Sequence, residues 1–341
     1  MLQPRAGLRF FIAFLLVVTL ILVLRMGKTG ITFREEPYFL GLWGEETGQF
    51  GRVLALDGSQ LGPDQMAVYD DRLLVADPGN ERIVLYEIRG SPQWLRAWEL
   101  PAIAGVRSIS YWLHELVVQD DRSDLHRFTN GAWKPLGTQT AAPPDAVLIL
   151  GSGMGTTKDA LYYAMIWLTA GGETWQLWCL EPALVPRLII TWSDATADLA
   201  HEALWNLDGQ VYGSVLDFAV SARGDILVQV MERESLSTAF LLFNEARESW
   251  KTVTIPAAQA ALPQLVGLDR WNNIYLVTGD ELVVYRHNGE RLGQLVLPPA
   301  KRRRSITLDE AGNVYVLAHA SEGVELTCYR RVKTGRIWPV P

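Results

Sequence analysis

The sequence predicts an all-β fold, a six-bladed β-propeller preceded by a single N-terminal transmembrane helix. Three observations predict it. A strand–turn–strand pattern recurs six times, the reversals within it are rich in Gly, Asn and Asp, and one long uncharged apolar run precedes the first copy. The expected boundaries are 1–28 for the anchor, 29–36 for a linker and 37–341 for the propeller.

The apolar run, Phe10 to Leu24, is flanked by Arg5 and Arg9 before it and Arg25 and Lys28 after it. Leu8, Met26 and Gly27 extend it, and both arginines can snorkel, which brings it toward the roughly 20 residues a span needs. The residues after Leu24 lack an A-x-A pattern, so the segment reads as an uncleaved signal anchor rather than a signal peptide. Basic residues at the N-terminus favour that end staying inside. The remainder is then expected in the periplasm or at the cell exterior of a bacterial inner or plasma membrane.

The six copies run over Met66–Asp77, Ile109–Asp120, Val147–Met165, Phe218–Val230, Leu265–Thr278 and Ile306–Ala318. Taking Leu74, Val117, Tyr162, Leu227, Tyr275 and Tyr315 as equivalent, the spacings are 43, 45, 65, 48 and 40 residues, the length of a four-stranded blade. Arg223-Gly224-Asp225, Trp271-Asn272-Asn273 and Ala311-Gly312-Asn313 place residues tolerant of positive φ at the reversals. Third strands follow at Arg82–Glu87, Ala239–Phe243, Leu282–Arg286 and Glu325–Arg330. Fainter fourth strands are expected at Trp94–Trp98, Trp133–Leu136, Leu188–Trp192, Trp250–Thr254 and Leu292–Leu297. The surplus length of the third copy is expected as an insertion around Glu181–Gly213. Ring closure falls to Tyr38–Trp43 rather than Arg336–Val340.

The first copy, Val75-Ala76-Asp77-Pro78-Gly79-Asn80-Glu81-Arg82-Ile83, resembles an NHL repeat, and Gly41-Leu42-Trp43-Gly44 through Phe50 resembles the glycine-rich lead-in to one. Later copies keep an Asp-Gly-Asn-Tyr rhythm, clearest over Asp309–Val316, but lose the Arg. The resemblance implies a six-bladed propeller over about residues 37–331 and little about activity, because function on such a fold lives in grafted loops.

Charge excludes one class of function. Residues 1–34 hold five basic residues and no acid, while the rest holds 26 basic against 38 acidic residues. So acidic a domain does not suit nucleic acid. The two cysteines, Cys179 and Cys328, fall in different blades and read as buried free thiols. His114, His126, His201, His287 and His319 lack any nucleophile motif around them; His201 lies in the expected insertion. Gly151–Lys158 looks like a phosphate loop, but Thr156 and Thr157 separate its last Gly from the Lys and a strand follows, so it reads as a hairpin loop. Asp64, Arg107, Asp145, Asp217, Gln264 and Arg303 flank the inner strands. Asp64, Asp145 and Asp217 are the possible ligands of a metal in the central tunnel, with the two arginines opposing one. Lys301-Arg302-Arg303-Arg304 is the basic run and the candidate binding site for an acidic partner, headgroup or polymer. The expected function is therefore a membrane-anchored interaction module for a protein, peptide or glycan, with no cofactor. The alternative is a propeller-type hydrolase or lyase using the tunnel metal.

Overall fold

The second strand of each copy reads as an unbroken apolar run, such as Leu73-Leu74-Val75-Ala76 or Val314-Tyr315-Val316-Leu317, which is what a strand buried on both faces requires. The computed structural model describes residues 30–333 apart from 55–59, 101–104, 121–123, 137–146, 170–171, 194–205, 208–209, 233–236, 245–246, 248 and 256–261. The described strands form six antiparallel blades. Blade one is Gln65–Tyr69, Arg72–Asp77, Arg82–Glu87 and Gln93–Glu99. Blade two is Val106–Trp112, Glu115–Asp120, Leu125–Thr129 and Ala132–Pro135. Blade three is Val147–Thr156, Leu161–Thr169, Gly172–Leu180 and Pro186–Ser193. Blade four is Gln210–Val220, Ile226–Glu232, Thr238–Asn244 and Ser249–Val253, with Asn206–Leu207 added at the edge of its inner strand. Blade five is Gln264–Leu268, Ile274–Thr278, Glu281–Tyr285 and Arg291–Val296. Blade six is Arg303–Leu308, Val314–His319, Gly323–Lys333 and, returning from the N-terminal side, Ile31–Leu42.

The period of two along each second strand sends alternate residues to the two neighbouring blades. In blade one Leu73 and Val75 pack toward blade six, while Leu74 and Ala76 pack toward blade two. In blade six Tyr315 and Leu317 face blade one, while Val314 and Val316 face blade five. Each of the remaining interfaces has its own core: blades two and three, three and four, and four and five. Sheet-on-sheet packing of this kind rewards the Tyr, Trp and Phe that are plentiful here. Cys179 and Cys328 are buried and free in two of these cores, as expected. The inner strands neighbour one another in chain order, and that of blade six returns to that of blade one. In blades two, five and six the inner strand shifts register at one place, Val106/Ser108, Leu265/Gly267 and Arg303/Ser305, and in blade four at two, Tyr212/Val215 and Val215/Asp217, which bends each strand along the channel wall.

Three expectations need correction. The linker expected over 29–36 is strand from Ile31 onward, because Ile31–Leu42 pairs with Gly323–Lys333 with Ile31 opposite Lys333. The closing strand thus begins seven residues before the expected Tyr38; its alternating polar face is the half-exposed outer edge of a blade. Of the insertion expected over Glu181–Gly213, Pro186–Ser193 completes blade three and Gln210–Val220 opens blade four, while 194–205 and 208–209 lie outside the described residues. The propeller accordingly starts before residue 37. The apolar run of the expected anchor and the segment Arg336–Val340 lie outside the described residues. Among the described residues no helix is long and apolar enough to cross a membrane.

The seam between blades six and one is sewn twice. After the closing strand, residues 44–51 lie over blade one and are clamped by its Asp77, Asn80 and Arg82. Asp77 is fully buried; its carboxylate accepts the Gly51 N–H at 2.9 Å, Asn80 Nδ2 at 3.0 Å and Arg82 Nε at 3.1 Å. Asn80 also donates to the Gly44 carbonyl at 2.9 Å, and Arg82 donates to the Gln49 carbonyl. Burial is the largest influence on the Asp77 carboxyl and pushes its pKa up; Gly51, Arg82 and Asn80 only partly counter it. Gly51 and Gly79 cross so closely that a Cβ on Gly79 would meet the Gly51 carbonyl carbon at 2.5 Å. On the other side, Trp43 Nε1 donates to the Ala320 carbonyl at 3.1 Å.

Removing the Asp77 carboxylate strands the Arg82 guanidinium, only 15% exposed, and the Gly51 N–H. Asp77→Ala is expected to cost about 3–5 kcal/mol in urea denaturation and to speed proteolysis near Glu45 and Glu46. Gly79→Ala should destabilise through the backbone clash alone. Wild-type stability in both variants would show that the clamp does not hold the seam.

Candidate functional site

Strand direction gives the ring two unlike faces. On one, the turn face, lie the tight turns joining first to second and third to fourth strands. On the other, the link face, lie the strand ends between which the chain passes from blade to blade, such as Glu99 and Val106, Pro135 and Val147, or Val296 and Arg303. Ile31 pairs with Lys333 at the end of a third strand, so the closing strand starts on the turn face and ends on the link face.

Most of the polar side chains that look site-like in sequence are spent on architecture. On the turn face, Asp269 is fully buried and accepts the N–H groups of Trp271 and Asn273, both at 2.9 Å, and Asn273 Nδ2 at 2.7 Å. Tyr275 and Arg331 also donate to it, the latter from blade six. Asp309 repeats the pattern with Asn313 and Tyr315. Asp225 bridges Asn244 at 2.5 Å and Asn272 of blade five at 2.6 Å. The Asp-Asn-Tyr rhythm is thus turn-capping and inter-blade stitching. The motif of blade one has an echo in blade two that sequence comparison missed: Asp120 caps the Asp124 N–H at 2.9 Å and meets His126 Nε2 at 3.2 Å, where blade one has Arg82. The chain order Asp-x₅-His instead of Asp-x₄-Arg hid it.

The possible tunnel ligands do not come together as a described set. Asp64 is exposed, Asp217 is partly buried on the inner strand of blade four, and Asp145 lies outside the described residues. Among the described residues no group of three or more His, Cys, Asp or Glu could hold a metal. Arg303, expected beside the tunnel, turns instead into the junction of blades five and six. Its Nη2 donates to the Gly279 carbonyl at 2.8 Å, and its Nη1 lies 3.8 Å from Asp280. Sequence reading also missed Gln119, fully buried on blade two with neither end of its amide partnered, and Gln229, which donates to the Pro263 carbonyl at 2.8 Å.

The basic run divides. Arg302 pairs with Glu325 at 3.0 Å with both side chains well exposed, and Arg304 donates to His319 Nδ1 at 3.0 Å. His319 Nε2 carries the proton, donating to the Pro63 carbonyl at 2.9 Å; burial, more than Arg304 and Arg52, lowers its pKa. Lys301 and Arg302 stand exposed on the link face. His201 lies outside the described residues. His114 sits at a turn tip, and His287 has its pKa lowered by burial, then by Lys251 and Arg286.

Two open clefts lie on the turn face. One, of about 350 Å³ between blades three and four, is lined by Lys158, Asp159, Glu181, Arg187 and Arg223. The other, of about 590 Å³ at the seam, is lined by Arg34, Glu36, Tyr38, Asp71, Arg89 and Arg330. Their charges are mixed and several pair, as for Arg89 with Asp71 at 2.7 Å, Arg330 with Glu36 at 3.3 Å and Arg187 with Glu181 at 3.5 Å.

No family model matches the chain, and no curated protein matches it either. Solved structures do resemble it. A member of the DUF4221 family from Bacteroides vulgatus is 9% identical over 90% of this chain and 100% of its own, with a TM-score of 0.54. A gluconolactonase from Xanthomonas campestris is 14% identical over 79% of this chain and 86% of its own, at 0.49. The calcium-binding regucalcin of Agrobacterium tumefaciens is 11% identical over 85% and 96%, also at 0.49. At such identities the likeness is one of fold.

Asp217 makes a testable contribution to stability. Burial pushes its carboxyl up to about 6, against its bond from the Phe218 N–H and the charge of Arg107. The folded state therefore holds a proton that the unfolded chain has released above the ordinary carboxyl range near pH 3.9. Stability should fall as pH rises from about 4 through 6, with a penalty on the order of 3 kcal/mol complete above that window. Asp217→Asn should remove this slope and melt a few degrees higher at pH 7.5. Parallel pH profiles for the two proteins in thermal melts would refute it.

Proposed function

We propose that this chain is a single-pass, membrane-anchored propeller on the periplasmic or exterior side of a bacterial inner or plasma membrane, where it binds a protein, peptide or glycan partner. The anchor is residues 1–28. The observation that carries the reading is topological: the chain enters the ring on the turn face, while the strand ends joined by the blade-to-blade links lie on the opposite face. A rigid ring held by a helix on one side presents its longest connections on the other, and such connections on a rigid scaffold are where binding residues concentrate. Lys301 and Arg302 stand on that link face. The exposed ion pair of Arg302 with Glu325 is of a kind that contributes little, so an acidic partner could displace it readily. Repeat scaffolds whose carboxylates are committed to turns and seams, as Asp77, Asp269 and Asp309 are, suit binding better than catalysis.

Crosslinking in native membranes, followed by capture through a C-terminal tag, should recover a partner in stoichiometric amount. Lys301→Glu combined with Arg302→Glu should weaken that capture about tenfold, with the larger loss at low salt because rim charges act mainly on encounter. Stoichiometric calcium with metal-dependent ester or lactone hydrolysis, and no partner, would replace this reading with the hydrolase or lyase alternative.

A further inference from the structure

The turn face carries apolar side chains in places that the fold alone does not call for. The turn between Trp112 and Glu115 in blade two has two central residues, Leu113 at φ 51° and His114 at φ 65°. Two-residue turns of this hand are the province of Asn and Gly, because a Cβ is strained in the left-handed region. Leu113 adopts it while 41% exposed. In the neighbouring blade three, the longer turn after Leu180 also holds an aliphatic residue at positive φ, Leu184 at 58°, which packs on the core of blades two and three, and Val185 beside it is 66% exposed. Next to Val185 opens the cleft of about 350 Å³ where Lys158, Arg187 and Arg223 stand with Asp159 and Glu181.

The same face is where the chain arrives from its apolar run. Only residues 25–30 separate Leu24 from Ile31, which opens the closing strand. Six residues reach at most about 20 Å when fully extended, so a spanning helix ending at Leu24 cannot leave the turn face far from the bilayer surface.

We infer that the turn face of blades two to four lies against the bilayer, with Leu113 and Val185 at the headgroup level and the Lys158–Arg187–Arg223 cleft facing anionic lipid headgroups. The inference rests on the anchored reading above and adds an orientation to it. Exposed aliphatic tips flanked by cations are the composition of surfaces that sit in the membrane interface, where apolar groups enter the acyl boundary and cations meet lipid phosphate. The link face then points away from the membrane, toward a partner.

The full chain in lipid nanodiscs tests this. Leu113→Cys, Val185→Cys and, on the link face, Glu322→Cys each accept a fluorophore, since Cys179 and Cys328 are buried. Headgroup-nitroxide lipids should quench probes at 113 and 185 at least threefold more than the probe at 322. Replacing one third of a zwitterionic lipid with an anionic one should raise quenching at 185 further. Equal quenching at 113 and 322, no response to anionic lipid, or crosslinking of 113 to a second copy would overturn the inference. Leu113→Asn serves as a second variant: it should keep or raise the melting temperature while lowering quenching at 185, a pairing that a purely structural role for Leu113 would not produce. Alkaline extraction keeps the two levels apart. A chain that washes off the membrane defeats the anchor, whereas one that stays but quenches equally on both faces defeats only the orientation.

Discussion

Burial of each blade on both of its faces is the constraint from which the rest of this structure follows. A second strand such as Leu227-Val228 gives one side chain to the core with blade three and the next to the core with blade five. No blade can be left without a neighbour, because an uncovered face would expose a full apolar sheet surface to water. The ring must therefore close, and the last interface must be made by residues far apart in the chain. Leu40 and Phe50 from the N-terminal side join Leu73, Tyr315 and Leu326 in that core.

Closure explains the investment at the seam. The eleven paired positions between Ile31–Leu42 and Gly323–Lys333 supply the ladder, but a ladder alone leaves blade one free to swing. The buried Asp77, with Asn80 and Arg82, fixes the following loop onto blade one and so joins what the closing strand joins to blade six. A buried carboxylate is costly to desolvate, and here several donors offset that cost. The turn-face carboxylates Asp225 and Asp269 do related work between blades four, five and six. The polar residues most conspicuous in the sequence thus hold blades in register. Lys301 and Arg302 stand apart from this network, exposed on the link face.

Direction of the closing strand ties architecture to orientation. Had the ring been completed from the C-terminal side, the N-terminal segment would have had no fixed point of entry. With Ile31 opposite Lys333, it enters on the turn face, where Leu113 and Val185 project and the two charged clefts open.

The all-β class, the six copies, their second strands and most third strands were legible in the residues, because local pattern decides them: a period of two, β-branched and aromatic content, and Gly or Asn at reversals. The N-terminal choice for ring closure was legible for the same reason. The sequence also marked Asp77, Asn80 and Arg82 as a unit, but could not say that they grip residues 44–51, since that contact spans more than 25 positions. Nor could it show that Arg303 leaves the channel for Gly279, or that His126 stands in for an arginine beside Asp120. Those outcomes depend on which blade lies next to which, and on where a bulge turns a side chain. Pairing between distant segments and burial from both sides exist only once the ring is closed, so the tertiary structure alone decided them.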